Sequence, residues 1–221
     1  MGFLRVLGKF LISAGVGVLL FVAWVLWGTG IYTSQQQDLL IGRLEESFVR
    51  PQQPDDEGPG KPPKGFTRSL DPGDPVFLLD IPQIAERPFA VVEGVDIEDL
   101  RKGPGHYPQC RPGFVKPLCT EFPEAWPGEN GRVIVSGHRT TYGAPFYRLN
   151  ELKKGDDIKV RTEWGEFVYR VSETRVVLPT SPAIVVQKQN TAELVLTTCN
   201  PRFSAAQRLI VFASLVEEAA R

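Results

Sequence analysis

Apolar residues run without a break near the start of the chain and recur in short bursts after residue 75, and the two patterns predict different structures. Phe10 to Trp27 carries no charge over 18 residues, and Gly28 to Tyr32 extends the run to 23. A helix rising about 1.5 Å per residue crosses the roughly 30 Å hydrocarbon core of a bilayer over that length. A cleaved signal sequence has a shorter apolar stretch, about 7–15 residues, ending in a small-residue site. Trp27-Gly-Thr-Gly-Ile-Tyr32 is a poor match to such a site, so residues 10–32 read as a retained transmembrane anchor. Arg5 and Lys9 precede the run and no Lys or Arg follows until Arg43. The positive-inside rule then puts residues 1–9 in the cytoplasm and everything beyond Tyr32 outside the plasma membrane, as a single-pass protein.

Ser34 to Arg50 carries Leu40, Leu44 and Phe48 at a spacing of four with polar residues between, the stripe of a short amphipathic helix. The expectation here is a stalk that lengthens the anchor. Pro51 to Gly65 (PQQPDDEGPGKPPKG) has no large apolar residue and predicts a flexible, partly extended tether, so residues 33–65 form stalk and linker. Residues 66–221 are then the folded domain.

Within that domain the pattern is short apolar runs bounded by turn residues. Val76–Ile81, Phe89–Val92, Arg132–Ser136, Asp157–Thr162, Glu166–Val171, Arg175–Leu178, Glu193–Thr198 and Leu209–Leu215 read as strands. Ile97–Lys102 and Pro145–Leu152 read as short helices. Helical crossovers of the kind a parallel sheet requires are missing, so an all-β, closed eight-stranded barrel is predicted.

Composition removes one class of partner. Twenty-five basic residues stand against 26 acidic ones, with no basic run, so nothing draws the chain to nucleic acid. No cluster of acidic residues predicts a calcium site or other metal, and no cofactor is expected.

Three cysteines and two histidines hold the candidate chemistry. In an extracellular domain cysteines are read as disulfides first. Cys110 and Cys119 lie nine apart in one Pro/Gly-rich loop and predict a local disulfide, which leaves Cys199 as the odd thiol. Cys199 ends the run Glu193-Leu-Val-Leu-Thr-Thr-Cys199 just before Asn200-Pro201, where proline stops sheet pairing and sets the thiol at a strand end. By itself such a cysteine is as often a small buried hydrophobe. His138 closes a second apolar run, Arg132-Val-Ile-Val-Ser-Gly-His138, and a third begins at Arg208-Leu-Ile-Val. Acyl transfer needs an attacking thiolate, an imidazole to move the proton and a fixed donor for the oxyanion, and these three side chains are of the right types.

Gly137-His138-Arg139, Leu196-Thr197-Thr198-Cys199 and Arg208-Leu209-Ile210-Val211 resemble the three signature segments of sortases, in the family's order. Gly103-Pro-Gly-His106-Tyr-Pro and Arg139-Thr-Thr-Tyr142-Gly-Ala-Pro-Phe146 resemble its class E branch, found in high-GC Gram-positive bacteria such as actinobacteria. The resemblance implies an eight-stranded barrel that cleaves a C-terminal sorting signal between Thr and Gly through a thioester. The secreted protein bearing that signal passes to an amine of a cell-wall precursor or to a pilin lysine. It also implies Cys199 as nucleophile, His138 as general acid/base and Arg208 as oxyanion or orienting group. Tyr142, Thr198 and His106 are expected to contribute to substrate binding, with Leu-Ala-x-Thr-Gly favoured over Leu-Pro-x-Thr-Gly. The Cys110–Cys119 loop departs from the class pattern and is expected near the groove. A pilin-polymerising enzyme fits less well, since Val216 to Arg221 carries no second anchor. The non-enzymatic alternative is a tethered extracellular barrel that binds ligand with Cys199 and His138 in its core.

Overall fold

The structure is a computed structural model that describes residues 2–49, 61–62, 66, 70–112, 118–188 and 190–220. One continuous helix opens the chain: α1 (Gly2–Ala23), a π-helical turn (Trp24–Gly28) and α2 (Thr29–Val49). None of the α1 residues is buried, whereas Thr33, Gln37, Leu40 and Leu44 of α2 are. The helix is long and apolar enough to cross a membrane, with a mean hydropathy of 2.3 in its most apolar window.

Eight strands follow: β1 (Pro75–Asp80), β2 (Phe89–Glu93), β3 (Gly105–His106), β4 (Gly131–Ser136), β5 (Asp157–Arg161), β6 (Gly165–Val177), β7 (Ala192–Asn200) and β8 (Gln207–Ala220). They close into a barrel in the order β1-β2-β3-β4-β7-β8-β6-β5. The predicted barrel is therefore present, but its eighth strand is not the expected one. Glu166–Val171 and Arg175–Leu178, up to Val177, belong to the single strand β6, because a bulge at Ser172 lets it continue alongside β8 with its pattern shifted. The missing strand is β3, two residues with no strand-like composition, held between β2 and β4. Short helices are fewer than expected: α3 covers Ile97–Leu100, and Pro145–Leu152 yields a 3-10 turn at Leu149–Glu151.

Alternation along the strands sends Phe77, Leu79, Val133, Val135, Phe167, Tyr169, Leu194, Leu196, Leu209 and Val211 into the barrel, where all are buried. A second apolar layer lies outside. Leu78, Ala90 and Val92 face outward from β1 and β2, and Leu40 and Leu44 of α2 cover them. Gln37 seals this contact: its amide donates to the Ala90 and Lys102 carbonyls at 2.9 Å and accepts from the Ala90 N–H at 2.9 Å. Gly103 is required at that point, since a Cβ there would lie 2.1 Å from Gln37 Nε2. Residues 33–49 are thus not the free stalk expected; their apolar stripe docks on a barrel face that is apolar on its outer side too. Most of the predicted tether, Pro51 to Gly65, lies outside the described residues.

Candidate active site

β4 and β7 run parallel with Ser136 opposite Thr197, and the Gly137 N–H donates to the Thr197 carbonyl at 3.1 Å. The same register carried two residues further sets His138 beside Cys199. On the other side β7 runs antiparallel to β8, with Cys199 directly opposite Arg208. Directly opposed residues share a sheet face. By the period of two, Cys199 lies on the face of Val195 and Thr197, His138 on that of Ile134, and Arg208 on that of Ile210 and Phe212. Ile134, Val195, Ile210 and Phe212 form one outer apolar cluster with Ile184. The three predicted side chains therefore lie side by side on one outer sheet face, at one end of that cluster.

Gly137 brings His138 to this position by close packing. A Cβ at residue 137 would lie 2.6 Å from the Phe146 ring. The imidazole stacks on Tyr142 with ring centroids 5.0 Å apart, and its Nε2 is buried without a hydrogen-bond partner. Burial, reinforced by the charge of Arg101, holds the His138 pKa below the ordinary histidine value, so the ring is neutral at pH 7. Among the described residues no carboxylate hydrogen-bonds this ring. Cys199 is a free, partly exposed thiol. Arg208 donates to the Ala205 and Gln207 carbonyls at 3.0 Å, which fixes the loop between β7 and β8.

The surrounding backbone is strained. Tyr142 (φ 51°), Ala144 (φ 45°) and Phe203 (φ 64°) are left-handed non-glycine residues, and all three belong to loops at this end of the barrel. Tyr142 is held by α2, its N–H donating to Thr29 Oγ1 at 3.1 Å, and by Arg101, whose Nε donates to its hydroxyl at 3.2 Å.

The other predicted residues fare differently. Thr198 is buried and donates to the Gly137 carbonyl at 2.7 Å, so it ties β7 to the His138 segment and does not line the groove. His106 is 1% exposed and bonded through Nδ1 to Glu93 at 2.7 Å, with Trp126 packed on its ring, so the substrate contact expected of it is replaced by a structural one. β3 runs antiparallel to β4, so the chain after His106 leaves toward the opposite end of the barrel from His138. The Cys110–Cys119 disulfide is formed, and its loop starts at that far end, away from the groove where it was expected.

Glu93, His106 and Glu124 bring ligand-type atoms within 4.8 Å of one another. The place of a cation is taken by Arg111, which donates to Glu93 at 2.7 Å and to Glu124 at 2.9 Å. Burial pushes the Glu93 carboxyl up, but His106 and Arg111 outweigh it and hold the pKa low; Glu93 in turn raises that of His106 against burial. The cluster is a hydrogen-bonded ion network beside the start of the disulfide loop.

Two contributors escaped sequence reasoning. Thr197 shares the face of Cys199, and its buried hydroxyl has no partner. The alternation of β7 carries that signal, since position i−2, not i−1, shares the thiol's face. Arg139 donates to the carbonyl of Cys199 at 3.2 Å, to that of Tyr147 at 3.0 Å and to Asn150 at 2.8 Å, so it braces the strand end that bears the thiol.

A closed barrel that sets a thiol, an imidazole and a guanidinium on one outer sheet face has counterparts among known proteins. The chain belongs to the sortase family, whose Sortase domain model matches residues 79–216. Sortase SrtE1 of Streptomyces coelicolor is 34% identical over 230 residues, covering 98% of this chain and 58% of that protein. Sortase D of Bacillus subtilis is 38% identical over 144 residues, 63% of each chain. The chain thus spans 58% and 63% of the lengths of these two curated relatives. The crystal structure of Sortase E1 from Streptomyces coelicolor with a tripeptide in the active site superposes with a TM-score of 0.54 at 30% identity, over 69% of this chain and 94% of that one. The Sortase D5 transpeptidase of Clostridium perfringens gives 0.65 at 24% identity, over 83% and 99%, a likeness of fold.

Proposed function

We propose that the chain is a membrane-anchored cysteine transpeptidase of class E type, with Cys199 as nucleophile, His138 as proton carrier and Arg208 as oxyanion donor. The observation that carries the proposal is the convergence of these three side chains on one outer sheet face, with the His138 Nε2 unpartnered. The Cys199 thiol gives its proton to His138 while its sulfur attacks the carbonyl carbon of the sorting-signal Thr. The developing oxyanion faces the guanidinium of Arg208, which stays charged throughout. The C–N bond to Gly breaks, His138 returns the proton to the leaving amine, and the acyl group remains on Cys199 as a thioester. An amine of a cell-wall precursor then attacks the thioester and gives a proton to His138. The C–S bond breaks and the thiol re-forms, closing the cycle with no net change in the enzyme.

Tyr142, packed against His138, and the unpartnered hydroxyl of Thr197 are the groups that contact the bound signal. The apolar run of α1 with Arg5 and Lys9 at its start supports an N-terminus in the cytoplasm and a barrel outside the plasma membrane. The test is incubation of the full chain with Leu-Ala-x-Thr-Gly or Leu-Pro-x-Thr-Gly peptides and triglycine, with products read by mass spectrometry. A Thr–triglycine conjugate is expected, more from the Ala peptide. No cleavage of either peptide by folded protein, or equal cleavage by Cys199→Ala, contradicts the proposal.

A further inference from the structure

The membrane helix and the barrel meet without a spacer. The unbroken part of the apolar run ends at Trp27, and only two residues later, within the stretch to Tyr32 that was expected to extend the anchor, Thr29 Oγ1 accepts the Tyr142 N–H at 3.1 Å. At about 1.5 Å per residue the offset along the helix is roughly 3 Å. The polar headgroup layer on each side of a bilayer is deeper than that, about 5–8 Å. The helix then runs down the barrel wall: Thr29 and Thr33 touch the Tyr142 and Arg101 segments, Gln37 the start of β2, and Leu40 and Leu44 the outer faces of β1 and β2. Its apolar half must therefore project from the end of the barrel that carries His138, Cys199 and Arg208.

The same end carries apolar side chains that have no cover. Phe203, in the loop after Cys199, is 71% exposed despite its left-handed backbone, and Leu178, just beyond the end of β6, is 64% exposed. Trp27 on the helix is 72% exposed, and Tyr147 carries the guanidinium of Arg202 4.0 Å above its ring. A cleft of about 470 Å³ lies between the helix residues Leu26, Trp27 and Gly30 and the rim residues Ala144, Tyr147 and Phe203. Aromatic side chains with one wet and one apolar side belong at the bilayer interface.

From this geometry we infer that the catalytic end of the barrel docks on the bilayer surface, with Phe203 and Tyr147 at headgroup level beside Trp27. The inference rests on the reading of the apolar helix as membrane-spanning, with its span ending at Gly28 and not at the expected Tyr32, because Thr29 and Thr33 contact the barrel. The groove opens toward the lipid, so it takes signals and amines presented at the membrane surface in preference to those free in solution. The Cys110–Cys119 loop, at the other end, faces away from the membrane.

The test uses the full chain in vesicles whose lipids carry a nitroxide on the headgroup. Two proteins in a Cys199→Ala background, Ala205→Cys next to the mouth and Asn130→Cys at the far end, are labelled with a small fluorophore. Quenching at least threefold stronger at 205 than at 130 is expected. Equal quenching, or stronger quenching at 130, overturns the inference; if the Cys199 protein still forms a peptide thioester, the transpeptidase reading survives that result. A strongly quenched 205 probe, when the Cys199 parent forms no thioester with either peptide, supports the geometry and removes the chemistry instead.

Discussion

The chain has two histidines, one paired across from Val135 inside the barrel and one just beyond the end of β4, and they stand in opposite conditions. His106 is buried and bonded to Glu93, which raises its pKa against burial, and is packed against Trp126 in a network where Arg111 pairs with the carboxylates. His138 is held neutral by burial and by Arg101, and its Nε2 has no partner at all. The network around His106 pairs its charged groups, leaving, among the described residues, only one oxygen of Glu124 buried without a partner, and gains rigidity from them. The end of the barrel that carries His138 leaves an imidazole and a threonine hydroxyl unsatisfied and holds three left-handed non-glycine residues, the condition of a surface that completes itself on a substrate.

Exchanging the treatment of the two histidines gives the largest contrast. His138→Ala lowers kcat/KM by about 10²–10⁴-fold, the usual contribution of a positioned proton carrier, while the melting temperature stays close to that of the parent. A large fall in melting temperature would instead make His138 a core residue. At the guanidinium, Arg208→Ala lowers kcat by about 10²–10³-fold with a smaller change in KM, as for loss of an oxyanion donor. A change confined to KM would reassign Arg208 to substrate orientation.

In the network of the other histidine, Glu93→Ala strands His106 and Arg111 and costs about 3–5 kcal/mol of stability, read by denaturant unfolding. The pair also sets a pH window. Glu93, with its folded pKa lowered, stabilises the protein above its unfolded value of 4.5 and loses that effect as pH falls through the folded pKa. His106, with its folded pKa raised, contributes fully below 6.5 and loses that effect as pH rises through its folded pKa. Melting temperature therefore peaks between about pH 4.5 and 6.5, and the peak flattens in Glu93→Ala. A maximum well above that window would contradict the assigned ion pair. The smallest effect is at Arg101, whose charge depresses the His138 pKa. Arg101→Gln raises that pKa, so the acid limb of the kcat/KM profile, below pH 6.5 in the parent, moves to higher pH. An unmoved limb would separate Arg101 from His138.

Much of the catalytic end was legible in the sequence, because strand alternation and motif order act locally. The runs ending at His138 and Cys199 and the one starting at Arg208 are long enough to declare their strands, and pairing follows from them. What stayed hidden depends on contacts between distant segments. The docking of α2 could not be read from its stripe alone; its signal lay in Leu78, Ala90 and Val92, apolar residues on the outer face of strands whose inner face was already apolar. β3 has two residues and no strand propensity, so only its neighbours define it. His106 and the disulfide loop were expected at the groove because they precede the His138 strand in sequence. The antiparallel direction of β3 sends them the other way.

Intact-protein mass spectrometry of the full chain after incubation with a Leu-Ala-x-Thr-Gly peptide tests the central claim most directly. The account predicts a mass increase equal to the peptide through Thr, removed by hydroxylamine and absent from Cys199→Ala. A folded protein that alkylates readily at Cys199 yet gains no such mass from either sorting peptide would contradict it.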